Sequence, residues 1–226
     1  MKRGIISIYW GDESKLPIPR LQSSVKKYHP ELEHKLIKVD ANPGDPSSLN
    51  FKSLMYDLSP FEETLFLDID TVVMGNLDFG FEKAKDHGIA ISICESPWAK
   101  RYTQIFFGDE VEYNTGVIFF NQNTKSLFDK WKSLANQMDT SIIGSENGVT
   151  IKMPANDQGS FAMAIKDLKF NPYVLPYNWN FRPTSYRSFF GPIKIWHDYS
   201  DPPEGLYALN NYYERKDSVI QYHFST

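Results

Sequence analysis

Glu63-Thr-Leu-Phe-Leu-Asp-Ile-Asp-Thr-Val-Val-Met74 is an apolar run that two carboxylates interrupt, and this stretch decides the fold. A run of this kind predicts a buried strand. A buried strand does not accommodate unpaired charge, so we expect Asp68 and Asp70 just past its carboxyl end, where open α/β sheets bind ligands. Side-chain alternation directs both carboxylates to the same side. Two carboxylates this close repel each other unless a cation lies between them, and their hard oxygens suit Mg²⁺ or Mn²⁺.

The composition sets broad limits on fold and function. The chain has 226 residues, 41% of them hydrophobic, and a net charge of -4, which predicts one domain over residues 1–226. A mildly acidic chain without a basic run does not favour nucleic acid as a partner. The apolar run near Met1 ends at Gly11, too soon for a secretory signal or a membrane span, and the single Cys94 excludes an internal disulfide. Both observations predict a cytoplasmic protein.

Strands alternate with helices along the chain, which predicts an α/β fold with three α/β/α layers around a mostly parallel central sheet. The predicted strands are 4–10, 33–39, 63–74, 89–94, 115–120 and 193–196. The predicted helices lie between them, around residues 21–28, 51–58, 77–84, 127–138 and 156–168, with Asn123-Thr124 as the cap of the fourth. The apolar residues of segment 95–113 do not recur with a helical or strand period, and we expect this segment to form a loop over the site.

A set of short motifs, in this order, carries a family resemblance. The set is Lys52, Leu67-Asp-Ile-Asp-Thr71, Tyr113-Asn-Thr-Gly-Val-Ile118, Asn156-Asp-Gln158, Trp179-Asn180 and His197. It resembles the retaining, metal-dependent glycosyltransferases of the glycogenin and lipopolysaccharide-galactosyltransferase type, which have the GT-A fold and a D-x-D motif. The resemblance runs from about residue 4 to residue 200 and depends on the order of the set, because D-x-D alone occurs by chance in many chains.

The resemblance implies a metal-dependent hexosyltransferase. Its donor would be a UDP-sugar such as UDP-glucose or UDP-galactose, its acceptor a carbohydrate or glycoconjugate, and its cofactor Mn²⁺ or Mg²⁺. By the same resemblance, the metal ligands would be Asp68, Asp70 and His197, and the catalytic residues at the donor sugar would be Asp157 and Gln158. The residues expected to bind the nucleotide sugar are Tyr9, Trp10, Gly11, Lys52, Asp68, Asn114, Thr115, Gly116 and Asn156.

The choice of His197 as the third metal ligand depends on a topological argument. The strand that ends at His197 is expected to add in parallel beside the Asp68 strand, which would bring both carboxyl ends to one edge. His223 has a similar strand-end setting and is the alternative ligand. The segment that follows His197, residues 198–204, contains no lysine, whereas the family has one there that grips the phosphates.

Other functions remain open at this stage. The same stretch fits a haloacid-dehalogenase-like phosphatase, with Asp68 as nucleophile, Asp70 as acid and Gly108-Asp109 with Glu112 as a late acidic motif. A non-catalytic carbohydrate-binding protein is a third possibility. Several aromatic residues could stack on an acceptor sugar or belong to the core. They are Trp98, Tyr102, Trp179 and Tyr186.

Overall fold

The fold is described from a computed structural model, which covers residues 2–42, 46–95, 110–138, 142–146, 148–153, 157–215 and 221–223. The strands are β1 (Arg3–Tyr9), β2 (Glu33–Lys38), β3 (Glu63–Leu67), β4 (Thr71–Val73), β5 (Ile89–Ile93), β6 (Tyr113–Asn121), β7 (Ile142–Glu146), β8 (Val149–Met153), β9 (Tyr173–Leu175), β10 (Ser188–Phe190), β11 (Ile195–His197) and β12 (Gln221–His223). The α-helices are α1 (Ile18–Tyr28), α2 (Met55–Leu58), α3 (Asp78–His87), α4 (Lys125–Ala135), α5 (Asp157–Asp167) and α6 (Glu204–Arg215).

The central sheet has six strands among the described residues, in the order β2-β1-β3-β6-β5-β9. β1 pairs in parallel with β2 and β3, and β5 pairs in parallel with β9. β6 is antiparallel to both of its neighbours, β3 and β5. Five strands therefore run in one direction and one runs against them, and the predicted mostly parallel α/β sheet is confirmed.

Both faces of this sheet are covered, which explains why its strands are almost continuously apolar. All five residues of β3 are buried, and its last three alternate between two hydrophobic clusters. Phe66 packs on the face that α4 and α5 cover, with Trp131 and Phe161. Leu65 and Leu67 pack on the opposite face, which α1 and α3 cover. The sheet is thus the middle layer of three, as the alternation of strands and helices predicts.

The apolar run 63–74 forms two strands, where a single strand was predicted. β3 ends at Leu67, and β4 belongs to a separate two-stranded sheet with β11. Thr71 makes the turn between them, because its N–H and its hydroxyl both donate to the Asp68 carbonyl, over 3.2 and 2.7 Å. The expectation that Asp68 follows the end of a buried strand is confirmed.

The predicted parallel addition of the His197 strand is wrong. β11 pairs antiparallel with β4, with His197 opposite Thr71, and neither strand belongs to the central sheet. The histidine still reaches the predicted place, because an antiparallel partner of β4 ends where β4 begins. That point is directly after Asp70.

Three other differences concern local structure. The predicted helix 51–58 is a 3-10 helix, Pro46–Leu54, followed by the short α2. Asn123 and Thr124 do not cap α4 with their side chains; the Thr124 hydroxyl donates to the Asn121 carbonyl. The predicted loop 95–113 lies mostly outside the described residues, which resume at 110. Among the helices that the structure describes, none combines the length and apolarity needed to cross a bilayer.

Candidate functional site

Four elements bring polar side chains to one end of the central sheet. β6 starts beside the end of β3 because the two strands are antiparallel, and the Asp68 N–H donates to the Gly116 carbonyl over 2.8 Å. α5 begins at this end with Asp157, and β11 ends here with His197. Asp157 and His197 are only 4% and 2% exposed. The sequence therefore folds so that residues far apart along the chain meet in one buried group.

Asp68, Asp70 and His197 form a group that could hold a metal ion. One ligand atom from each lies within 4.8 Å of the other two. His197 Nε2 is 3.3 Å from Asp70 Oδ1 and 3.8 Å from Asp68 Oδ2. This is the only such group that the described part of the chain contains.

Asn180 orients the imidazole ring of His197. His197 Nδ1 is 2.7 Å from the side-chain oxygen of Asn180, and the Asn180 amide donates to the Asn114 carbonyl over 3.4 Å. The ring is thereby oriented so that Nε2 faces the two carboxylates. The donor set of one imidazole nitrogen and two carboxylates therefore fits a divalent cation.

Gly116 keeps this group compact. A Cβ at this position would lie 2.3 Å from Cε1 of His197 and 2.7 Å from Oδ2 of Asp68, both too close for any side chain. The backbone of β6 thus passes directly under Asp68 and His197, and only glycine allows that approach.

Lys52 joins two of the buried carboxylates. Its Nζ is 2.7 Å from Asp68 Oδ2 and 3.7 Å from Asp157 Oδ2. Burial disfavours the ammonium, but the charges of Asp157 and Asp68 outweigh burial and raise the pKa of Lys52. Lys52 is therefore charged and bound to both carboxylates at neutral pH.

The two carboxylates of the D-x-D stretch titrate differently. Burial raises the pKa of Asp68, and the neighbouring charge of Asp70 adds to this against the opposing charge of Lys52. Burial also disfavours ionised Asp70, but the nearby His197 outweighs it and lowers the pKa of Asp70 to about 2. Asp70 is therefore ionised at neutral pH, as a metal ligand must be.

A second set of contacts links β6 to α5. The Thr115 hydroxyl donates to Asp157 Oδ2, and the Trp131 indole donates to the Asp157 carbonyl over 3.2 Å. The Asn114 side chain accepts from the Gly116 N–H and donates to Glu95 Oε2, each over 3.0 Å. These contacts hold Asn114 and Asp157 in fixed orientations at the same end of the sheet.

Two adjoining cavities open onto this group. The first has a volume of about 190 Å³ and is lined by Lys52, Asp68, Glu95, Asn114, Thr115, Asp157, Gln158, Arg182 and His197. The second has a volume of about 270 Å³ and is lined by Ile8, Tyr9, Trp10, Leu16, Leu49, Lys52, Asp68, Ile69, Asp70, Arg182, His197 and Tyr199. The four residues common to both show that the cavities form one groove, with a polar half and a more aromatic half.

Arg20 of α1 ties the two turns that carry metal-ligand candidates. Its guanidinium donates to the carbonyls of Asp70 and Asp198 over 3.2 and 2.6 Å, and to those of Tyr199 and Ser200 over 2.8 and 3.0 Å. The turn after β3 and the turn after β11 are therefore held to the same side chain.

The structure brings together most of the residues that the sequence singled out. Those that line the groove are Tyr9, Trp10, Lys52, Asp68, Asp70, Asn114, Thr115, Asp157, Gln158 and His197. Gly116 lies beneath them, Gly11 lines neither cavity but adopts a φ of 82° next to Trp10, and Asn156 lies outside the described residues. The alternative ligand His223 has its backbone in β12, paired with Ser188, and its side chain is likewise not described.

Several residues of the groove were not predicted as site residues, and Glu95 and Arg182 are the charged ones among them. Glu95 comes directly after a predicted strand, and Arg182 interrupts an aromatic run between β9 and β10, so each had only a weak positional signal. Asn180, which belongs to the motif set, lines neither cavity, but its side-chain oxygen is 2.7 Å from His197 Nδ1. Of the aromatic residues considered for an acceptor, Trp179 packs edge-on against Phe119 in the core, and Trp98 and Tyr102 lie outside the described residues.

Comparison with known proteins identifies the fold. No protein-family model and no curated protein sequence matches this chain. Among solved structures, mouse xyloside xylosyltransferase 1 in its apo form matches with a TM-score of 0.56 at 16% identity, over 88% of this chain and 98% of that one. The glycosyltransferase GlyE of Streptococcus pneumoniae TIGR4 matches with a TM-score of 0.53 at 16% identity, over 96% of this chain and 61% of GlyE.

The galactosyltransferase LgtC, solved with donor and acceptor sugar analogs, matches with a TM-score of 0.52 at 13% identity, over 96% of this chain and 97% of LgtC. The chain therefore has the GT-A fold of these glycosyltransferases, and the family resemblance in the sequence is confirmed at the level of the fold.

Proposed function

We propose that this chain is a metal-dependent glycosyltransferase that moves a hexose from a UDP-sugar, UDP-glucose or UDP-galactose, to a carbohydrate or glycoconjugate acceptor with retention of configuration. The observation that carries the proposal is the group of Asp68, Asp70 and His197 at the centre of the groove. One imidazole nitrogen and two carboxylates are a donor set that suits a divalent cation, and a cation there would favour the binding of a nucleoside diphosphate. The GT-A fold supports the same function.

The proposed reaction exchanges one bond of the anomeric carbon for another. The bond to the diphosphate oxygen breaks, a bond to an acceptor oxygen forms, and the proton of the acceptor hydroxyl passes to the leaving diphosphate. A divalent cation held by Asp68, Asp70 and His197 would stabilise the negative charge of the leaving diphosphate. Asp157 and Gln158 line the polar half of the groove, where we propose that they contact the donor sugar. Tyr9 and Trp10 line the other half and are proposed to contact the base.

Lys52 and Thr115 hold Asp157 in place in the polar half of the groove. Both contact Asp157 Oδ2, and Lys52 also contacts Asp68. A carboxylate held in this way has little freedom to rotate, so its orientation toward a sugar is set before binding. This pre-organisation supports Asp157 as a residue that acts on the donor.

Binding of UDP with and without metal tests the proposal. With Mn²⁺ or Mg²⁺ present, UDP should raise the melting temperature, and a chelator should abolish the increase, because a cation held by Asp68, Asp70 and His197 would neutralise charge on the diphosphate. Asp70→Asn should abolish the metal-dependent increase and sugar transfer while the protein stays folded. Asp86→Asn is the matched control, since Asp86 is exposed on α3 and lines neither cavity.

The same experiment separates the alternatives. Equal UDP binding with metal and with chelator, or full transfer by Asp70→Asn, would contradict the proposal. A phosphoaspartate trapped at Asp68 would support the dehalogenase-like phosphatase. Binding of sugars without turnover of any nucleotide sugar would support a non-catalytic carbohydrate-binding protein.

A further inference from the structure

The groove is rich in negative charge, although the proposed ligand is an anion. Four carboxylates belong to it, those of Glu95, Asp68, Asp70 and Asp157, and its cationic side chains are Lys52 and Arg182. A single divalent cation does not balance both these carboxylates and a diphosphate. One of the two cationic side chains must therefore contact the phosphates if a nucleoside diphosphate binds here.

Lys52 is already committed to protein carboxylates. It lies between Asp68 and Asp157, its side chain is only 9% exposed, and its closest contact is the 2.7 Å ion pair with Asp68. Moving it to a phosphate would take the charge of Lys52 away from two buried carboxylates, which costs free energy. Lys52 is thus a structural cation of the polar half.

Arg182 is the cationic side chain with an N–H donor that makes no hydrogen bond among the described residues. Its side chain is 30% exposed, and its Nε lies 3.8 Å from Glu95 Oε1, beyond hydrogen-bond distance. That Nε is buried and has no hydrogen-bond partner among the described residues. A buried N–H of this kind costs free energy unless a ligand satisfies it. If Arg182 served only to neutralise Glu95, a direct hydrogen bond would be expected.

The position of Arg182 is fixed relative to the metal-ligand group. The residue before it, Phe181, is fully buried; its N–H donates to the Ile195 carbonyl, and its own carbonyl accepts from the His197 N–H, both over 2.9 Å. Arg182 Nη1 is 3.5 Å from His197 Nε2. The guanidinium therefore lies beside the metal-ligand group, and it lines both halves of the groove.

We propose that Arg182 binds the diphosphate of the nucleotide donor and stabilises it as the leaving group. The proposal rests on the proposed function. A guanidinium presents several N–H donors in a planar fork that matches phosphate oxygens, and Arg182 reaches the boundary between the polar and the aromatic half, where a diphosphate links a sugar to a nucleoside. No lysine follows His197 within residues 198–204 that could do the same.

Calorimetric titrations with UDP, uridine and inorganic pyrophosphate, all with Mn²⁺ present, test this role. Arg182→Gln should weaken the binding of UDP and of pyrophosphate at least tenfold and change uridine binding less than twofold. Arg182→Lys should recover part of the loss, since it keeps the charge but not the fork. Arg187→Gln is the matched control, because Arg187 is exposed, nearby in sequence and absent from both cavity walls.

Each outcome decides between the two proposals. Unchanged UDP and pyrophosphate binding by Arg182→Gln would overturn the role of Arg182, and so would an equal loss of uridine binding, which would indicate a general structural defect. Pyrophosphate binding that depends on Arg182 without any UDP binding would support the phosphate contact and contradict the UDP-sugar transferase. Failure of the wild-type protein to bind either phosphate ligand would overturn both.

Discussion

Gly116 lies directly beneath His197 and Asp68, where no side chain fits. Gly116→Ala places a methyl group 2.3 Å from His197 and 2.7 Å from Asp68, so both side chains must move. We expect Mn²⁺-dependent stabilisation by UDP to be lost, together with about 1 to 3 kcal/mol of folding stability from overpacking. Melting curves with and without metal and UDP measure both effects.

Gly205→Ala is the control for this substitution. Gly205 lies in α6, and nothing lies within 4 Å of a Cβ built there. Alanine should stabilise that helix by up to about 1 kcal/mol and leave UDP binding unchanged. A Gly116→Ala protein that keeps full metal-dependent stabilisation would contradict the close packing of β6 under Asp68 and His197.

His34 should make stability depend on pH. Burial lowers its pKa from 6.5 to about 4, so the unfolded chain takes up the proton first as the pH falls. The contribution of His34 to the free energy of unfolding is therefore fully present above about pH 6.5 and is lost between about pH 6.5 and 4. The loss is roughly 2 kcal/mol, because the partial exposure of the side chain reduces the effect of burial. His34→Gln should flatten the pH dependence of urea midpoints in this window. An unchanged slope in the variant would assign the decline to other groups.

Residues that act through local chemistry could be predicted from the sequence. Asp68 and Asp70 could be singled out because carboxylates at the end of a buried strand have a recognisable setting, whereas Asp157 was expected from the family resemblance. Arg182 and Glu95 had only a weak positional signal, which does not by itself indicate the groove that they line. Their proximity to His197 and Asn114 depends on how distant segments pack.

At the level of elements, α3 packs against β6 through a glycine. A Cβ on Gly80 would lie 2.5 Å from the ring of Phe119, which is fully buried and packed edge-on against Phe81 and Trp179. The ring has no room to retreat, so the clash outweighs the gain of about 1 kcal/mol in helix propensity. We expect Gly80→Ala to cost about 1 to 3 kcal/mol in urea denaturation.

A double substitution tests the cause of this loss. Phe119→Leu removes the far edge of the ring, so adding it to Gly80→Ala should cost less than the sum of the two single substitutions. Strict additivity would show that Gly80 and Phe119 do not compete for the same space.

The predictions were right for elements whose hydrophobic residues repeat with a single helical or strand period. The strands β1, β2, β5 and β6 and the helices α1, α4 and α5 agree with the predicted segments within a few residues. The prediction of a single strand over residues 63–74 was wrong because hydrophobicity alone does not show where a chain leaves one sheet for another. The turn at Thr71 depends on two hydrogen bonds to Asp68, and the antiparallel pairing of β11 depends on that turn. The hairpin of β7 and β8 was not predicted at all.

At the level of the whole molecule, α6 is attached to the sheet of β4 and β11 through Asn210. This side chain is 2% exposed; it accepts from the Ile193 N–H over 3.0 Å and donates to the Ile193 and Met74 carbonyls over 2.7 and 3.3 Å. Asn210→Ala leaves buried backbone groups unsatisfied, so we expect a loss of about 2 to 3 kcal/mol in urea denaturation. The adjacent, exposed Asn211 provides the control, and an equal effect of Asn211→Ala would argue against a specific role for Asn210.

The contact between Arg20 and the turn after β11 also has a consequence for the time course of folding. Arg20 and the Asp198 carbonyl are 178 residues apart along the chain, whereas Arg20 and the Asp70 carbonyl are 50 apart. Closing the longer loop costs more entropy, and contacts of such separation form late. During synthesis on the ribosome, α1 and the turn at Asp70 can therefore meet long before the segment with His197 exists. The residues of the candidate site can therefore come together only after the segment with His197 has been synthesised.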